Sequence, residues 1–135
     1  MSDEEFERLV VKGYESLPEW VREKVQNVAL LVEDEPSEED REAQGLSDEE
    51  TLLGLYKGIP LTERGELYGV GMTLPDTITL YRFPIEDEAD EITEKGEMTF
   101  EQAIEKVVAE TIWHEYAHHF GMDEAEVRHR EQERF

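Results

Sequence analysis

The stretch His114-Glu115-Tyr116-Ala117-His118-His119-Phe120-Gly121-Met122-Asp123-Glu124 decides the reading of this chain. It contains the spacing HExxH, two imidazoles four residues apart with a carboxylate directly after the first. Residues four apart on an α-helix share one face, so His114 and His118 can reach one metal ion together. Glu115 lies about 100° around the same helix, where it can act on a water at the metal without being a ligand. All four histidines fall within the last 22 residues, so any histidine-based metal chemistry is confined to this end of the chain.

Working back from the motif, the pattern predicts a long helix from Thr99 to Phe120. Thr99 can cap it, and Gln102 completes a capping box. Phe100, Ile104, Val107 and Thr111 share a face that His114 and His118 continue. Ile112, Trp113, Tyr116, Ala117 and Phe120 cover the other sides, so the helix is expected to be mostly buried where the histidines stand. Gly121 stands where a left-handed residue ends a helix.

Zinc in a hydrolytic site takes three protein ligands and keeps a fourth position for water. A third ligand from a further helix would need about twenty residues beyond the second histidine, and only 17 follow His118. The shorter solution is a glycine turn and a ligand six residues after the second histidine, which is Glu124. Asp123 competes for that role but also fits the N-cap of a last helix, with Glu126 at the capping-box position. His129 is a further candidate. His119 points away from His118 and is read as a surface or supporting histidine. The competing explanation is a histidine pair buried without metal, which would have to find other hydrogen-bond partners.

Thirteen basic residues face 36 acidic ones, for a formal charge of −23. That field repels nucleic-acid backbones and anionic membrane surfaces, and favours metal ions and cationic peptides. It also has a plain reading as a solvated acidic surface that keeps the protein soluble. Cysteine is absent, which suits a reducing compartment. No signal-peptide pattern opens the chain and no apolar run is long enough to span a bilayer. The chain is therefore read as soluble and cytoplasmic, with one domain over residues 1–135 and its oligomeric state left open.

Elsewhere, residues 3–13 fit a short helix, and a second helix begins near Pro18. Val28-Ala29-Leu30-Leu31-Val32 fits a buried strand. Residues 33–50 are acidic and read as a surface loop. Leu52–Thr62 suits a short strand and turn. Asp76-Thr77-Ile78-Thr79-Leu80-Tyr81-Arg82-Phe83 is the best strand in the sequence, with Pro84 ending it or marking a sheet edge. Residues 86–97 read as a second acidic loop.

With these segments in hand, the chain resembles the small bacterial zincin-like metallopeptidases. The resemblance rests on HEYAHHFGMDE, on Leu53-Gly54-Leu55-Tyr56-Lys57-Gly58 with Pro60-Leu61, and on Leu74-Pro75-Asp76 leading into Ile78–Arg82. It spans roughly residues 28–126. It implies an α+β minimal zincin fold, a small mixed sheet packed on the long helix that carries the histidines, and a catalytic zinc. His114, Glu115 and His118 match its motif directly. Glu124 matches a position where aspartate is the more familiar ligand.

The function expected is that of a zinc-dependent peptidase, with Glu115 as general base and His114, His118 and Glu124 as ligands. An edge strand within 76–83 is expected to pair with an extended peptide, and Tyr81, Tyr68 and Arg82 are the candidate donors to the oxyanion. The alternative is a non-catalytic zinc protein whose acidic surface binds a partner. Glu115 argues against it, because a structural zinc needs no carboxylate beside it and closes with four ligands, often cysteines.

Overall fold

Alternation along Asp76–Tyr81 puts Ile78 and Leu80 on one face of an extended segment and Thr77, Thr79 and Tyr81 on the other. The computed structural model describes residues 1–47, 49–58, 75–96 and 98–119. Helices α1 (Asp3–Ser16) and α2 (Glu19–Val25) come first, followed by strand β1 (Val28–Glu33), helix α3 (Glu38–Ala43) and strand β2 (Gly54–Lys57). Strand β3 (Asp76–Tyr81) runs directly into helix α4 (Arg82–Glu94), and helix α5 (Phe100–His119) closes the described chain. Among the described residues the sheet has the order β1-β3-β2. β1 runs parallel to β3, from Val28 opposite Asp76 to Glu33 opposite Tyr81. β2 runs antiparallel to β3, from Gly54 opposite Leu80 to Lys57 opposite Thr77. This is the α+β arrangement expected, a small mixed sheet against one long helix.

The sheet packs on α5 through Ile78 and Leu80, which meet Ile104, Ile112 and Trp113 in the core. α1 adds Phe6 and Leu9 from one side, and α4 adds Ile85 and Ala89 from the other. Each isoleucine, leucine or phenylalanine taken fully out of water here contributes about 1.5–3 kcal/mol. The capping box forms as expected: Gln102 N–H donates to Thr99 Oγ1 (3.2 Å), and Thr99 N–H donates to Gln102 Oε1 (3.0 Å).

Three expectations need correction. Residues 86–94 are helical, not a loop. Pro84 falls in the first turn of α4, where no intrahelical N–H is needed, and Ile85 and Ala89 form a buried stripe with Ile92 against it. Asp87, Glu88, Asp90 and Glu91 between them are exposed, and Gly96 ends the helix at φ 77°. Within the expected acidic loop, Ser37 caps α3 by accepting from Asp40 N–H at 3.0 Å. Asp40 then binds Lys57 Nζ at 2.9 Å and stands 3.5 Å from the Tyr81 hydroxyl, which ties α3 to the sheet. Lastly, β3 is the central strand, so it offers no open edge. Among the described residues its neighbours supply the edges.

Two glycines let backbones approach α5. A Cβ on Gly54 would stand 2.7 Å from Thr111 Cγ2 and 3.0 Å from Thr79 O. One on Gly13 would stand 2.9 Å from both Glu105 O and Val108 Cγ1. Gly54→Ala and Gly13→Ala should each lower the unfolding free energy by about 1–3 kcal/mol through overpacking. At Gly13 this outweighs the gain in helix propensity, about 1 kcal/mol. Urea denaturation checks both; unchanged midpoints would mean that the neighbouring atoms yield.

Candidate active site

The motif occupies the last two turns of α5. Because the helix holds the two histidines on one face, their ring centroids are 5.9 Å apart with planes at 75°. Two imidazoles binding one tetrahedral zinc at about 2.0–2.1 Å put their centroids roughly 5 to 5.5 Å apart. The observed separation is about 0.4–0.9 Å wider than that, so the two rings are neighbours on one helix face and stand somewhat further apart than two ligands of one ion. His114 Nδ1 lies 3.0 Å from Glu110 O. A carbonyl can only accept, so Nδ1 carries the proton and Nε2 keeps the lone pair suited to a metal.

Glu115 is half-buried and turns toward β2, where one carboxylate oxygen accepts the Tyr56 main-chain N–H at 3.2 Å. Burial pushes its pKa above the usual glutamate value, against the Tyr56 hydrogen bond and the nearby His118 and His114, which pull it down. Tyr81 N–H donates to Leu53 O at 2.9 Å. In an antiparallel ladder bonded pairs alternate, so Leu55 and Lys57 also face β3 while Gly54 and Tyr56 point their N–H and C=O groups outward. Glu115 thus takes one amide of the outer edge of β2, and among the described residues no further strand pairs with that edge.

Tyr56 was not singled out by the sequence reading. Its ring stacks on His119, with centroids 3.9 Å apart and planes at 20°, and its hydroxyl donates to Asp76 Oδ2 at 2.7 Å. Asp76 opens β3, and both residues lie in segments that carried the family resemblance, yet nothing in their local spacing gave this contact. His119 is exposed, as expected.

Two of the three candidate oxyanion donors are committed elsewhere. Tyr81 is fully buried with its hydroxyl toward Asp40, and burial, Asp40 and Glu33 push its pKa up to about 12. Arg82 pairs with Glu86 at 3.0 Å and with Asp3, and lies over the Phe6 ring at 5.9 Å. Tyr68 lies outside the described residues, as do Phe120, Gly121, Asp123, Glu124 and His129. Among the described residues no group of three or more His, Cys, Asp or Glu side chains is gathered for a metal.

A consequence for stability follows from Glu115. Its raised pKa means that the folded state binds the proton more tightly than the unfolded state. The ionised carboxylate therefore costs stability at neutral pH, and this cost disappears as pH falls through the folded pKa toward the unfolded one. Glu115→Gln keeps an acceptor for Tyr56 N–H and carries no charge. It should raise the melting temperature of the metal-free protein at pH 7, with the gap closing in acid. Thermal melts of both proteins across pH check this, and an equal or lower melting temperature at pH 7 would contradict it.

No curated protein matches the chain significantly. A family model described as zincin-like metallopeptidase matches residues 25–134. That span takes in all three strands, the helix of the histidine pair and the Tyr56–Glu115 contact. Among the described residues no helix is long and apolar enough to cross a membrane. The family also implies zinc binding. With the match covering most of its length, the chain belongs to the zincin-like metallopeptidase family.

Proposed function

We propose that the protein is a zinc-dependent peptidase in which His114, His118 and Glu124 hold the metal and Glu115 is the general base. The observation that carries this reading is the position of the Glu115 carboxylate. It stands beside the histidine pair and at the same time on the outward-facing amide of β2. A structural metal site has no use for such a group.

Zinc, when bound, supplies a Lewis acid that polarises a carbonyl and makes water nucleophilic near neutral pH. The residues of the chain account for the rest. Glu110 O fixes the His114 tautomer. Glu115 takes the proton of the attacking water and delivers it to the leaving amine. Burial has already moved its pKa toward the working range that a proton shuttle needs. β2 offers an extended peptide an edge for backbone pairing, the role first expected of residues 76–83. The substrate class is thus a peptide or an extended segment of a protein.

Elemental analysis should find one zinc per chain, lost in His114→Ala and in His118→Ala; full zinc content in both variants would sink the reading. Glu115→Gln should keep the metal and lose cleavage of a broad peptide library followed by mass spectrometry. A variant that cleaves as fast as the parent would remove Glu115 as the base.

The third ligand has its own test. Glu124→Ala should weaken zinc binding strongly, while Asp123→Ala should keep zinc and cost about 1 kcal/mol of stability through loss of a helix cap. Zinc affinity and melting temperature of the two variants separate these roles. Metal lost only from Asp123→Ala would move the ligand to that residue.

A further inference from the structure

A cavity of about 290 Å³ opens beside the motif, and His114 and Glu115 form part of its wall. It lies between α4, α5 and the chain that enters β2. A peptide extended along the outer edge of β2, with its scissile bond at Glu115, would run past Gly54 and Leu53, which line this opening. The side chain flanking that bond is therefore the one the cavity receives. Its volume falls just below the range of cavities that hold drug-sized ligands, about 300–1,000 Å³, which suits one side chain.

The lining has two parts of different chemistry. Leu53, Ile92 and Val107 give it apolar walls, and Val107 is almost fully buried. Glu88 of α4 and Glu110 of α5 add two carboxylates, and both reach solvent. Glu110 pairs with Lys106 Nζ at 4.0 Å, and Lys106 is itself 47 % exposed, so the pair holds that carboxylate only weakly. An apolar wall with an acidic, wet rim matches a side chain that has an apolar stem and a cationic head. Lysine and arginine lay their methylenes along apolar surface and keep the charge in water. A leucine would cover the walls and leave the rim unused. A glutamate would meet two like charges.

We infer that this cavity is the specificity pocket for lysine or arginine beside the scissile bond. The inference rests on the peptidase reading for its placement and adds the substrate class. The overall charge of −23 would attract any cationic peptide, so the test must separate the pocket from the general field.

Zinc-loaded Glu115→Gln protein should be titrated calorimetrically with capped alanine-rich pentapeptides carrying lysine, norleucine or glutamate at the central position. Lysine should bind about tenfold more tightly than its uncharged isostere norleucine, and glutamate least. The ratio should fall to near one when Glu88→Gln and Glu110→Gln are added. It should persist with Glu4→Gln and Glu23→Gln, which remove the same charge from exposed sites on α1 and α2. A ratio near one without the added substitutions, its survival in the pocket variant, equal loss in the remote variant, or no binding at all would each overturn the inference. Cleavage by the parent separates the two readings. A parent that cleaves without preferring lysine or arginine beside the bond keeps the peptidase and loses the pocket. A parent that binds the lysine peptide but cleaves nothing keeps the pocket and loses the peptidase.

Discussion

The close seating of β2 on α5 is the constraint on which the site depends. Glu115 can reach the Tyr56 amide only if the strand lies almost against the helix, and Gly54 permits this by presenting no side chain to Thr111. The strand is pinned from its other side by β3 and from above by the Tyr56 hydroxyl on Asp76. A carboxylate that would otherwise rotate freely on a helix surface is thus fixed by a main-chain donor. Main-chain donors do not swing away as side chains do, so the position of the Glu115 carboxylate is set by the fold itself.

How much of this was legible in the sequence divides along the range of the interactions. The capping box at Thr99 and the β-branched, aromatic run of β3 are local patterns, and the structure forms both, the strand ending at Tyr81 where Phe83 was expected. α4 was missed because Pro84 and a run of acidic residues look like loop chemistry. Its helical character lies in Ile85, Ala89 and Ile92, a stripe that earns its place only by packing on α5. The identity of the edge strand was out of reach. A strand's own residues do not say whether its neighbours lie on one side or both, so the most β-like segment was wrongly expected at the edge. Strong β character in fact suits the centre, where Ile78 and Leu80 are fully buried.

Tyr56 and Asp76 illustrate the same limit at the site. They are 20 residues apart in sequence, joined by a 2.7 Å hydrogen bond across the sheet, and no local spacing anticipates the contact. The resemblance had marked both segments without assigning them a task. Their task is visible only once β2 and β3 are paired, when the phenol braces the strand whose amide holds Glu115.

The electrostatics of the site are set against the protein's own surface. A strongly acidic chain raises the cost of any buried carboxylate, and Glu115 sits where burial already works against its charge. His114 and His118 pull in the opposite direction. A divalent cation between them would reverse this balance, since it would be the largest local charge and would favour the ionised base. Burial and a bound cation would therefore act on Glu115 in opposite senses, the first favouring its neutral form and the second its carboxylate.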